Sequence, residues 1–171
     1  MYLELTLAEP GWRDATVSAM EAFAEEHRDV LERARRDGEF LHDLYVEMGR
    51  RGWVAPSTPR EHGGAGGGVA EYCVIEEEVG RLGLIPPQVS IQGQRWLVEW
   101  GTPLQRERYL PGMASGEIVF SESISEPGMG SSLRTMLGVA RRDGDDWILK
   151  GHKTHVNLGS ACHVTLAYLM A

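Results

Sequence analysis

A change of hydrophobic period at Gly116 constrains this chain more than any other feature. Before it, apolar residues recur about every 3.6 positions with charges between them; after it, apolar and polar residues alternate. Helices therefore come first and strands second. That is the order of an α+β protein, with a helical domain over 1–114 and the first part of a β domain over 115–171.

Within the helical part, 1–9 reads as a short lead-in ended by Pro10-Gly11. Over 12–35, Val17, Met20, Phe23, Ala24, Val30, Leu31 and Ala34 share one face, which predicts a single helix broken by Asp37-Gly38. Phe40, Leu41, Leu44, Tyr45 and Met48 start a second face that stops at Gly52. A third helix over 69–82 turns Val69, Tyr72, Cys73, Val79 and Leu82 inward and leaves Glu76-Glu77-Glu78 solvated. A fourth over 89–100 carries the polar residues Gln88, Gln92, Gln94 and Arg95 on or beside it. Thr102-Pro103-Leu104-Gln105 has the N-cap, N1 and N3 residues of a capping box, with Leu104, Tyr109 and Leu110 inward and Pro111-Gly112 as the stop. Between the second and third helices, Pro56, Pro59 and five glycines from Gly63 to Gly68 make either a loop that hugs its neighbours or a linker.

In the second part, strands are expected over 118–125, 137–142, 147–150 and 164–169, with Asp143-Gly144-Asp145-Asp146 turning the middle pair into a hairpin. The apolar stretch 164–170 is expected to leave sticky β surface. The stretch FSESISEPGMGSS, 120–132, begins as a strand with one wet edge and is ended by Pro127. Gly128 and Gly130 let backbone N–H groups converge, and Ser131 and Ser132 add hydroxyls, a turn that suits an anion or a carbonyl-rich ring. Most Gly-Ser turns are plain reversals.

A net charge of −8, from 25 acidic against 17 basic residues, argues against nucleic acid and against an anionic membrane surface. No apolar run is long enough to span a bilayer, so the default is a soluble cytoplasmic protein. Cys73 and Cys162 lie far apart and each is expected in a core as a small hydrophobe, Cys162 at a strand start. The histidines form no metal-spaced pair, so no metal is expected.

Two segments, Ser123-Ile124-Ser125-Glu126-Pro127-Gly128-Met129-Gly130-Ser131-Ser132 and Gly151-His152-Lys153-Thr154-His155-Val156-Asn157-Leu158-Gly159, resemble the two signatures of the acyl-CoA dehydrogenase family of flavoproteins. Gly49-Arg50-Arg51-Gly52-Trp53, the loop from Pro59 to Gly66, Glu76 to Arg81, and Gly101 to Pro111 resemble further segments of that family in the same order. The resemblance implies an up-down α-helical domain followed by an incomplete antiparallel β domain of the acyl-CoA dehydrogenase type. It also implies non-covalent FAD, an acyl-CoA-like substrate, a place in lipid metabolism, and an oligomer of one or two kinds of chain. The implied activity is FAD-dependent α,β-dehydrogenation of an acyl-CoA thioester, in which a carboxylate removes the α proton and the β hydride passes to the flavin. No residue here matches the family's base, so none is assigned as catalytic. Activity is expected only with further C-terminal parts or a partner chain.

Carried over by position, Ile124, Ser125 and Glu126 lie against the flavin ring, and Ser131 meets cofactor or substrate. Met129, where Ala is usual, shapes the substrate pocket. His155 replaces the usual aromatic and Asn157 the usual Thr or Ser near the ring. The loop of 59–66 is fixed in the family, and the additional Gly67 and Gly68 are expected to loosen it here. Glu122, Ser132, His155 and Asn157 depart from the pattern and support one alternative, a flavin-free scaffold or partner subunit; the resemblance also permits a flavin-dependent monooxygenase on the same fold.

Overall fold

The computed structural model describes residues 10–171, and the lead-in expected over 1–9 lies outside the described residues. The chain forms two compact units, one reaching Ile118 and the other starting at Val119.

In the first unit, α1 (Trp12–Glu26) and α2 (Arg28–Asp37) occupy the stretch that periodicity reads as one helix. The break falls at His27, whose backbone leaves the helix (φ −106°, ψ 12°) and whose Nδ1 lies 3.0 Å from the Phe23 carbonyl. A side chain bonded into the carbonyl ladder bends a helix at that point. Gly38, at φ 68°, then closes α2 in the left-handed conformation that glycine adopts without strain. Next comes α3 (His42–Arg50), which buries Tyr45 and Met48.

The bounds of α4 (Val69–Leu82) are those the sequence predicts, but its inner face is not. Val74, Ile75 and Val79 are buried, whereas Val69 and Cys73 are exposed. The inner stripe also includes two paired glutamates. Glu71 accepts the Gly68 N–H at 2.6 Å, and Glu78 accepts from Arg81 at 2.7 Å. The acidic run is therefore not one solvated face: Glu77 is exposed, Glu76 half-buried and Glu78 buried.

On α5 (Gln88–Trp100), Gln94 is fully buried and holds the glycine-rich loop. Its Nε2 donates to the Val54 carbonyl at 3.0 Å, and its Oε1 accepts from the Thr58 hydroxyl at 2.6 Å. The loop also pairs with itself, Ala65 N–H to Ala55, Gly66 to Thr58 and Gly67 to Pro56, each at 2.9 Å. A Cβ on Gly67 would stand 2.8 Å from the Pro56 carbonyl, so this glycine tightens the loop rather than loosening it.

Thr102 caps α6 (Pro103–Ala114), and both halves of the capping box form, at 2.8 and 3.3 Å. The helix runs through Pro111 instead of stopping there. Proline removes one hydrogen bond near the helix end, and the ladder resumes as Ser115 N–H reaches the Pro111 carbonyl at 3.0 Å. Leu104 is 71% exposed, contrary to expectation. Six residues from the buried Leu110, it lies about 120° round the helix from it. Within the unit, α1 packs on α4 and α5 on α6.

The second unit holds β1 (Phe120–Ser123), β2 (Val139–Asp143), β3 (Asp146–Lys150) and β4 (Val164–Ala167). The hairpin forms as predicted, β2 antiparallel to β3, with Gly144 at φ 64° in a two-residue turn. The other pairing corrects the all-antiparallel expectation, because β1 and β4 run parallel with Phe120 opposite Val164 and Ser123 opposite Ala167. A parallel partner needs a long crossover, which the hairpin and the segment after it supply. Every residue of β3 is exposed, Trp147, Ile148 and Leu149 included.

Candidate functional site

At the end of β1 the chain enters a turn over Glu126-Pro127-Gly128-Met129. Proline comes second, glycine third at φ 79°, and the Met129 N–H returns to the Glu126 carbonyl at 3.0 Å, the residue order and geometry of a type II turn. Beyond it, Gly130, Ser131 and Ser132 are exposed, and a Cβ on Gly128 or Gly130 would touch nothing within 4 Å. Met129 is half-buried, and the segment closes in a short 3-10 turn at Leu133–Thr135.

The second motif runs beside the first as irregular chain, not as a strand. Thr154 N–H donates to the Ser125 carbonyl at 2.8 Å, and the buried Ser121 hydroxyl donates to the Asn157 carbonyl at 2.8 Å. These two bonds bring together 121–126 and 154–157. His155 and Leu158 have φ of 54° and 56°, the left-handed region that side chains other than glycine rarely occupy. Such a conformation costs on the order of 1–3 kcal/mol and recurs at functional sites. His155 and Asn157 are exposed, whereas Ile124 and Ser125 are half-buried.

Glu126 occupies a different environment from the one its position in the motif suggests. Its carboxylate accepts the N–H groups of Leu137 at 2.6 Å and Gly138 at 2.8 Å, and the Lys153 ammonium at 2.8 Å. Lys153 also donates to the Ile124 carbonyl at 3.1 Å. The ammonium first, then the Leu137 amide, holds the Glu126 carboxyl below its ordinary range. Lys153 and Gly138 were missed by sequence reasoning, although a lysine in one motif and a glutamate in the other are complementary. The adjoining cleft of about 450 Å³ is lined by Pro127, Leu137, Val139, Lys150 and His152, and includes none of Ser125, Ser131, His155 and Asn157.

Glu122 stands opposite Leu166 of β4 in the strand register. Burial pushes the Tyr168 phenol up, and the negative charge of Glu122 adds to that. Cys162 lies in the turn before β4, its Sγ 3.5 Å from the Gly159 carbonyl. Among the described residues no cluster of three metal-ligating side chains occurs, and no helix is long and apolar enough to cross a membrane.

A helical unit followed by strands that present a Glu-Pro-Gly turn beside a Lys-Thr-His segment defines the front part of an acyl-CoA dehydrogenase fold. Residues 13–117 match the family model for the acyl-CoA dehydrogenase N-terminal domain, and the chain belongs to that family. It is 35% identical over 135 residues to acyl-CoA dehydrogenase FadE12 of Mycobacterium tuberculosis, covering 77% of this chain and 34% of that protein. The mitochondrial long-chain specific acyl-CoA dehydrogenase of Rattus norvegicus is 30% identical over 145 residues, 83% of this chain and 34% of the relative. Among solved structures, the ChsE4-ChsE5 complex of Mycobacterium tuberculosis matches with a TM-score of 0.85 at 26% identity, over 99% of this chain and 44% of that one. The chain thus spans about a third of the length of the curated relatives it matches.

Proposed function

We propose that the chain supplies the N-terminal helical domain, 1–114, and the first part of the middle β domain, 115–171, of an FAD-dependent acyl-CoA dehydrogenase acting on an acyl-CoA thioester. The observation that carries this reading is the pairing of the two signature segments, Thr154 N–H to Ser125 and Ser121 to the Asn157 carbonyl, in a chain of that family. The donor set fits a flavin: Ser125 and Ser131 hydroxyls, the Asn157 amide and the His155 imidazole match a carbonyl-rich ring and a pyrophosphate. Open space around Gly128 and Gly130 leaves the turn accessible.

Ile124, Ser125, His155 and Asn157 would hold the ring, Ser131 would reach phosphate or substrate, and Met129 would limit the acyl pocket. Glu126 contributes its backbone alone, since its carboxylate is already bonded three ways. FAD, when bound, supplies the acceptor for the hydride leaving the β-carbon. The chain's own part is to orient that group and polarise what it binds. The scaffold reading rests on the departures at Glu122, Ser132, His155 and Asn157, and an assembly with a second chain would follow the example of the ChsE4-ChsE5 complex.

Titration of the complete protein with FAD decides between them. The flavoenzyme reading expects saturable uptake and a visible spectrum that shifts on adding an acyl-CoA. A folded complete protein that takes up no FAD establishes the scaffold instead.

A further inference from the structure

We propose that Glu126 and Lys153 form a positioning pair that sets the two signature segments at their working distance, and that neither side chain is a flavin ligand; this rests on the flavin reading above. Both side chains are withdrawn from solvent, with exposures of 4% and 12%. Glu126 accepts three hydrogen bonds, from Leu137, Gly138 and Lys153, at 2.6–2.8 Å. Those partners come from the entry to β2 and from the second signature, so one carboxylate joins three segments distant in sequence.

The place of Lys153 makes this more than a local brace. Its ammonium bonds the Ile124 carbonyl and the Glu126 carboxylate, one on each side of Ser125. The next residue, Thr154, donates its N–H to the Ser125 carbonyl. The backbone of Ser125 is therefore held from both neighbours and at its own carbonyl, which leaves its hydroxyl as the free variable of that stretch. On the other signature, Lys153 stands two residues before His155, whose left-handed backbone requires a fixed approach of the chain. Gly138 belongs to the same device: a Cβ there would lie 2.6 Å from Glu126 Oε1 and 3.6 Å from Lys153 Nζ. Groups that touch a ligand hold their geometry only when a supporting shell fixes them.

The test uses the complete protein and reads FAD affinity, the visible circular dichroism of the bound flavin, and the thermal midpoint. Glu126→Gln and Lys153→Met each bind FAD about tenfold or more weakly and change the flavin dichroism, whereas Lys153→Arg, which keeps a charged donor, stays within about threefold of wild type. The double variant Glu126→Gln/Lys153→Met loses no more than the worse single one, because the two side chains act as one unit. If Glu126→Gln does not fold, Lys153→Met and Lys153→Arg carry the comparison. Variants that lower the thermal midpoint yet bind FAD with wild-type affinity and dichroism overturn the positioning role. Failure of the wild type itself to bind FAD overturns the flavin reading instead.

Discussion

Glu126 in the second unit and Glu76 in the first are both carboxylates drawn away from water, and their surroundings drive them in opposite directions. Glu126 meets an ammonium and two amides, which hold it ionised below its ordinary range. Glu76, on α4, has one oxygen buried with no hydrogen-bond partner among the described residues, and burial raises its pKa to about 7. Its charge also helps to push the buried Tyr45 phenol up to about 12, though burial of the phenol is the larger cause. Burial alone thus says little about a polar group; what decides its effect is whether partners replace the water it loses. Gln94 extends the comparison, being a buried polar side chain of the first unit with two bonds made.

The largest effect is expected at Gln94. Gln94→Leu keeps the bulk but leaves the Val54 carbonyl and the Thr58 hydroxyl buried without partners, which should cost about 2–4 kcal/mol. A urea titration measures it, and a loss below about 1 kcal/mol would mean that the loop is not held from α5.

Second is the acid limb set by Glu126. Its folded pKa lies below its ordinary value, so its contribution to stability is full above about pH 4.5 and is lost as the pH falls through the lowered folded value. Glu126→Gln should flatten this limb of a stability-versus-pH curve; an unchanged limb would place the acid sensitivity in other carboxylates.

Third is Glu76, with the opposite sign. The folded protein keeps a proton between about pH 4.5 and 7 that the unfolded chain has released, so stability falls as the pH rises through that window and levels off above it. Glu76→Gln removes the dependence and should stabilise the protein above pH 7 by about 1 kcal/mol, once screening at a half-exposed position is allowed for. Parallel curves for wild type and variant would show Glu76 to be hydrated in solution.

The same contrast explains what could be read from the amino acids. The ends of α4 were legible because Gly68 and Gly83 flank it, and the start of α6 because Thr102 and Gln105 form a local device. The inner face of α4 was not, since Glu71 and Glu78 sit inside on partners and so mask the period that apolar residues alone would show. Leu104 was assigned inward on hydrophobicity, which does not fix a helical angle. The parallel pairing of β1 with β4 depends on residues distant in sequence, and neither strand carries a local signal for it. Of the candidate site, the two motifs were visible and their bond through Ser125 and Thr154 was not. Glu126 was recognised as part of the motif, but its counterion, Lys153, appears only once the segments fold together.

The smallest effect is expected at Leu158, where the second signature stores backbone strain rather than an unmet polar group. At φ 56° a leucine Cβ crowds the following carbonyl, at a cost of about 1–2 kcal/mol, and glycine occupies that region freely. Leu158→Gly relieves the crowding but loses the half-buried side chain and gives the unfolded chain more freedom, together close to the same size. The net change in stability should therefore lie within about 0.5 kcal/mol of zero. Replacement by Ala keeps the strain while removing most of the packing, so Leu158→Ala should be less stable than Leu158→Gly. Thermal melts of the two variants side by side test this, and the reverse order would mean that residue 158 is not left-handed in solution and that the turn after Asn157 relaxes to an ordinary one.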